Sequence, residues 1–125
     1  MIHIERVYEK IKKPGKRFLV DRLWPRGVSK ESLRIDAWLK DVSPGEELRQ
    51  WFHHEPGKWP EFKEKYFQEL DTKPGAVAPL VAAARSGEII LVYAARDTRY
   101  NNAVALKEYL ETRSGIELKR NEEQE

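Results

Sequence analysis

Residues 88–95 read EIILVYAA, an apolar run that follows Gly87 and ends against Arg96-Asp97. The run is too short for a core helix and is rich in β-branched side chains. A half-exposed strand would carry a polar residue at every second position, and this one carries none from Ile89 onward. It therefore reads as a strand buried on both faces, as central strands of parallel sheets are. Residues 17–24, RFLVDRLW, pass in the same way from hydrocarbon into an Asp–Arg pair. The two segments predict parallel neighbours in a small, mostly parallel central sheet flanked by helices, an α/β fold.

Outward from these strands, IHIERVYE (2–9) alternates imperfectly and reads as a first strand, and the following segment turns at Pro14-Gly15. SKESLRIDAWLK (29–40) reads as a short helix. SPGEELRQWF (43–52) reads as a better one, with Ser43 as cap, Pro44 in the first turn and Glu46 completing a capping box. WPEFKEKYFQEL (59–70) places Trp59, Phe62, Tyr66 and Leu70 at helical spacing. Trp51, Phe52, Phe62 and Tyr66 are expected in one cluster over the sheet. AVAPLVAAARSG (76–87) predicts a helix with Pro79 near its start and a left-handed cap at Gly87. NNAVALKEYLETRSG (101–115) predicts another, closed by Gly115, with IELK (116–119) as a last strand reached by a right-handed crossover. Residues 1–120 are expected to form one domain, and 121–125 an acidic, frayed tail.

The chain has 125 residues, enough to bury a core, and no cysteine. That excludes disulfides, thiolate metal sites and a cysteine nucleophile. The N-terminus lacks the apolar core of a signal peptide and no run approaches membrane-spanning length, so the expectation is a cytoplasmic protein without membrane partners. Net charge is +2 but unevenly spread. Residues 1–34 carry ten Lys or Arg and four acids, a net of +6, and the remainder carries thirteen and seventeen, a net of −4. A basic first third attracts phosphates or nucleic acid, although a solvated Lys- and Glu-rich surface has the same composition.

Ligands of open parallel sheets bind outside the carboxyl ends of the strands. There this sequence concentrates its charge. Asp21 and Asp97 are candidates for acid, base or hydroxyl-binding roles, and Arg22, Arg26 and Arg96 for holding an anion. Trp24 and Tyr93 would supply an apolar wall or a stacking face. The helix beginning near Asn101 would present free amides at the same edge. Within a strand, Asp21 and Arg22 point to opposite faces, so they share a pocket only where the strand has ended. The competing reading is a set of Asp–Arg pairs that lock loops and bind nothing, with Asp97 or Thr98 as a helix cap. His53 and His54 project about 100 degrees apart on a helix and cannot easily share an ion, so no metal site is expected. His54, next to Glu55, remains a candidate proton carrier. Phosphate-loop, dinucleotide and nucleophile-elbow patterns are absent, and no cofactor is expected.

The segments VDRLWPRG, IDAWLKDVSP, LRQWFHHEPGKWPEF and YAARDTRYNNAVALKEYL together resemble the YeaO-like proteins of the family labelled domain of unknown function 488. The resemblance spans residues 4–111 and implies a compact α/β domain from bacteria or archaea, with no established reaction to transfer. Asp21, Arg22, Trp24, Pro25, Arg26 and Gly27 match its first signature, and Asp36, Trp38 and Leu39 its second. Leu48, Arg49, Trp51, Phe52 and His54 match the third, and Asp97 and Asn101 the last. The chain departs where the family carries glycine in place of His53, and His-Asn-His or His-Asn-Gln in place of Tyr100-Asn101-Asn102. Three functions follow as expectations: a small enzyme acting on a nucleotide, base or phosphorylated metabolite; a non-catalytic anion- or nucleic-acid-binding module; or a partner-binding domain. The oligomeric state is left open.

Overall fold

The structure is a computed structural model, and it describes residues 1–11, 13–53 and 55–113. The strands are β1 (Ile2–Arg6), β2 (Lys16–Leu19), β3 (Ala37–Trp38) and β4 (Ile89–Tyr93). They form one sheet in the order β1-β4-β2-β3, and every neighbouring pair is parallel. The two apolar segments are therefore parallel neighbours, with Phe18 opposite Leu91 and Leu19 opposite Val92. All five residues of β4 are buried, as its unbroken apolar run requires of a central strand.

The helices are α1 (Lys30–Leu33), α2 (Glu46–Phe52), α3 (Trp59–Asp71), α4 (Pro74–Ser86) and α5 (Asn102–Arg113), with short 3₁₀ turns at Lys40–Val42 and Pro56–Lys58. Ile2, Phe18, Val20, Ile89, Leu91 and Tyr93 pack with the apolar residues of α2 to α5 in the main core. Leu19, Ile90 and Val92 share a smaller cluster with Leu33, Trp24, Val28, Ile35 and Trp38, so this face is covered by residues 20–38 instead of by long helices. On the same face, Arg17 of β2 reaches across β4 to Glu5 of β1, Nη1 to Oε1 at 2.6 Å, with both side chains buried. Lys13 N–H donates to the other Glu5 oxygen at 3.1 Å, and Arg17 Nε donates to Leu33 O at 3.4 Å. Those extra hydrogen bonds offset the desolvation that makes an isolated buried pair costly.

Several sequence expectations are corrected. The second strand stops at Leu19 and does not run on to Trp24. The segment 29–40 is helical only at Lys30–Leu33, where Arg34 takes a left-handed conformation (φ 52). The chain then returns as β3, because Asp36 N–H donates to Arg17 O and Leu39 N–H to Leu19 O. Backbone pairing along the free edge of β2 overrides the helical propensity of this segment. Ser43 does not cap α2: its hydroxyl donates to Lys40 O, Gly45 is the cap residue, and Glu69 accepts the Gly45 N–H at 2.8 Å. Pro79 lies inside α4, which starts earlier than expected at Pro74, and Gly87 is extended (φ 170), not left-handed. Gly115, the IELK strand with its crossover, and the tail lie outside the described residues. Of the aromatic cluster, Phe52, Phe62 and Tyr66 are buried in contact. Trp51 packs at the margin, half-buried, with the ammonium groups of Lys65 and Lys58 at 4.2 and 5.0 Å from its ring centre. No helix among the described residues is long and apolar enough to cross a membrane.

Gly15 opens β2 with φ 138, and a Cβ there would lie 2.6 Å from Glu88 O and 2.9 Å from Glu88 C. Lys16 N–H donates to that same Glu88 oxygen at 3.0 Å, the first rung between β2 and β4. Gly15→Ala must therefore either break this rung or strain the turn. We expect a loss of about 1–3 kcal/mol in urea unfolding; an unchanged midpoint would show that the turn has room to give.

Candidate functional site

Parallel pairing sets the next rung after Val20 N–H donates to Val92 O at 3.1 Å: Ala94 N–H should donate to Val20 O. It does not. Ala94 N–H donates instead to Asp21 Oδ2 at 2.8 Å, and Val20 O accepts from Asn102 Nδ2 at 3.0 Å. Asn102 Nδ2 also donates to Asp21 Oδ1 at 3.1 Å, while Asp21 O accepts from Trp38 Nε1 at 2.7 Å. Two side chains thus replace one backbone rung. They splay the ends of β2 and β4 apart and join both strands to α5 and β3.

The opening made in this way is a cavity of about 540 Å³. Asp21 to Arg26 line one side, Ala94 and Ala95 lie at the end of β4, and Tyr100 to Asn102 lead into α5. Arg49, Phe52 and His53 close it from α2. Because β2 has ended, Asp21 and Arg22 both line the cavity despite being adjacent, as the strand-alternation argument requires. Arg22, Arg26 and Arg49 are exposed, and none of them forms a salt bridge among the described residues. Trp24 has one edge in the smaller core, 5.4 Å from Trp38, and donates Nε1–H to Val28 O at 2.7 Å. Burial pushes the Asp21 carboxyl above its usual 3.8, while hydrogen bonds from Asn102 and Ala94 and the charge of Arg49 pull the other way and only partly offset it.

The cavity gathers Asp21, Arg22, Trp24, Arg26 and Asn101 from among the sequence candidates, and not Tyr93, Arg96 or Asp97. Asn101 is buried and serves as a helix cap: its Oδ1 accepts Val104 N–H at 2.9 Å and its Nδ2 donates to Asp97 O at 2.8 Å. Asp97 Oδ1 accepts from Arg99 N–H at 2.9 Å and Tyr100 N–H at 3.0 Å, a local turn that sets the entry to α5. Arg96 is exposed, away from the cavity. Tyr93 is buried in the main core, where desolvation raises its hydroxyl. His54 lies outside the described residues. The cavity thus sets Arg49 of α2 beside Arg22 and Arg26, in place of the Arg96 expected from the end of β4.

Sequence reasoning did not single out Arg49, Tyr100 or Asn102 as site residues. Arg49, Phe52 and His53 fall at i, i+3 and i+4, one stripe along α2 whose middle residue, Phe52, also packs in the core. The Asn102 signal was the doubled asparagine itself, one residue to cap the helix and one to reach the sheet. His53 closes α2 in the left-handed region (φ 44), a conformation in which the glycine that the resemblance implies there would be unstrained. No group of three or more His, Asp or Glu side chains is placed to hold a metal ion among the described residues.

The Asp21 shift sets a pH dependence. Its carboxyl binds a proton more tightly in the folded than in the unfolded chain, so its contribution to stability is fully present below about 3.8 and lost as pH rises through the raised value. Asp21→Asn removes that titration. We expect the stability of wild type relative to Asp21→Asn to fall with rising pH across this acid range, measured by urea unfolding at several pH values. A relative stability that rises instead would mean that the carboxylate is favoured, not disfavoured, by folding.

The profile described as the inactive DUF488-N3 subclade matches residues 1–125, the whole chain. An uncharacterized protein of Mycobacterium tuberculosis is 38% identical over 113 residues, which cover 90% of this chain and 95% of that protein. The uncharacterized protein YeaO of Escherichia coli is 38% identical over 110 residues, covering 87% of this chain and 96% of that relative. No solved structure matches the chain at a significant level. The chain belongs to the DUF488 family, as a YeaO-like member of the subclade described as inactive DUF488-N3.

Proposed function

We propose that this chain is a non-catalytic binding domain that holds a small anionic, phosphate-bearing ligand in the cavity between Asp21 and Arg49. The observation that carries the reading is the cavity rim. Arg22, Arg26 and Arg49 line one opening without a carboxylate in salt-bridge contact among the described residues, beside the half-buried rings of Trp24 and Tyr100. Guanidinium groups so placed match the geometry of a phosphate and bind it bidentately. The aromatic edges supply the apolar wall that an attached ring or sugar requires.

Two observations favour binding over turnover. Asp21 has both oxygens engaged by donors whose protons it does not take, Ala94 N–H and Asn102 Nδ2. The positions flanking Asn101, where the resemblance implies histidine before it and histidine or glutamine after it, hold Tyr100 and Asn102, and a carboxamide can orient Asp21 but cannot shuttle a proton. The description of the subclade as inactive agrees with this reading. Asp21 then serves the ligand as an acceptor for a hydroxyl, set back from the phosphate by Arg49.

Thermal melts with inorganic phosphate, sugar phosphates and nucleoside monophosphates test the reading. A ligand at a hundred times its Kd stabilises the folded state by about 2.7 kcal/mol. We expect at least one of these compounds to raise the melting temperature of the wild type, and Arg49→Ala to abolish the rise while melting unchanged without ligand, since Arg49 is exposed. A wild type that answers none of them would overturn the proposal.

A further inference from the structure

We propose that the ligand of this cavity is a nucleoside monophosphate, with its base against a wall of aromatic rings and its phosphate at the mouth. The inference deepens the anion reading above and rests on it for the phosphate; what it adds is the base. The observation that carries it is a gradient of burial. Arg22, Arg26 and Arg49 line the cavity and are exposed, whereas Pro25, Pro44, Phe52 and Phe62 line it and are buried. Charge therefore stands at the opening and hydrocarbon stands inside. A ligand that matches both ends joins an anionic group to an apolar one.

The inner wall is built of rings that brace one another. Phe52 stacks on Phe62 with ring centres 4.4 Å apart, Phe62 on Trp59 at 5.6 Å, and Trp59 meets Tyr100 at 5.3 Å. Phe52, Phe62 and Tyr100 border the cavity, and Trp59 links the last two. Rings held in this way are already ordered, so stacking a base on them costs little side-chain entropy. The volume, about 540 Å³, lies within the roughly 300–1,000 Å³ of clefts that enclose most of a drug-sized ligand, and a bare phosphate would leave most of it to water. A sugar phosphate fits the space but not the lining. Its hydroxyls need partners, and the buried polar side chains of the lining already have theirs: Ser43 donates to Lys40 O, and Asn101 is held by Asp97 O and Val104 N–H. Hydroxyls stripped of water without replacement cost free energy, and the face of a base does not. Asp21 remains as an acceptor, because each of its oxygens has a second lone pair beside the bond from Ala94 or Asn102. That one carboxylate can serve the ribose of a nucleotide while the aromatic wall takes the base.

The test is isothermal titration calorimetry of the full chain with the 5′-monophosphates of adenosine, guanosine, cytidine and uridine, their parent nucleosides, ribose 5-phosphate and inorganic phosphate. Stacking of a base on aromatic side chains is worth roughly 5- to 150-fold in Kd. We expect at least one nucleotide to bind more tightly than ribose 5-phosphate by a factor in that range, a comparison that needs no substitution. Tyr100→Ala should shrink the preference, and Tyr100→Phe, which keeps the ring, should retain it. Ribose 5-phosphate binding as tightly as every nucleotide would overturn the base and spare the anion reading. A preference unchanged in folded Tyr100→Ala would likewise overturn the place given to the base and spare the anion reading. A nucleoside binding as tightly as its monophosphate would overturn the anion reading and this inference with it. No binding of any of these compounds would overturn both.

Discussion

The organisation of this molecule depends on one exchanged hydrogen bond. Where β2 and β4 should continue as a parallel ladder, Asp21 takes the Ala94 amide and Asn102 takes the Val20 carbonyl. No backbone polar group is orphaned by the exchange, yet the strands part. A buried amide or carbonyl without a partner would cost about 1–3 kcal/mol, so strands can open at this end only if side chains supply what the ladder gives up. Asp21 and Asn102 supply it, and link to each other at 3.1 Å. Through Trp38, which donates to Asp21 O, the edge strand is held as well. The cavity is the space that this opening leaves.

Its chemistry follows from that construction. The half-buried Asp21 carboxyl lining the cavity is raised by desolvation, which hydrogen bonds from Asn102 and Ala94 and the charge of Arg49 only partly offset. Guanidinium groups at the rim keep their charge in water, where it costs little. On the opposite face of the sheet the Glu5–Arg17 pair is buried and hydrogen-bonded on both partners. The same residue types thus do different work according to burial: paired they hold strands together, and exposed, without a salt bridge among the described residues, they stay in water at the cavity rim.

The central strand and its parallel neighbour were legible because continuous hydrocarbon admits few other readings. The helix of residues 59–71 was legible from the spacing of Phe62, Tyr66 and Leu70. β3 was not: Ala37 and Trp38 owe their strand geometry to pairing with β2, a long-range contact that leaves no local pattern. The end of β2 was misread for a related reason. Asp21 looks like a charged strand terminus in sequence, but its carboxylate stands in for a backbone carbonyl of the ladder, which only the partner strand reveals. Local pattern placed Asp21, Arg22, Trp24 and Arg26 at a strand end and so at the cavity. Arg96 and Asp97 were drawn in by symmetry with them, but in the turn set by the Asp97 and Asn101 hydrogen bonds it is Ala94, Ala95 and Tyr100 to Asn102 that line the cavity. Arg49 and Asn102 come from elements whose approach to this end is set by packing of the whole helical layer.

The account stands on Asp21 and Asn102 acting as one bracket. A double-mutant cycle between Asp21→Ala and Asn102→Ala, read by urea unfolding near neutral pH, measures that most directly. Side chains in one hydrogen-bonded network couple by about 0.5–3 kcal/mol, whereas independent sites add to within about 0.3–0.5 kcal/mol. The account predicts strong coupling, with the double variant little worse than Asp21→Ala alone. Simple additivity would contradict it, because it would mean that the strand ends are held apart by something other than these two side chains.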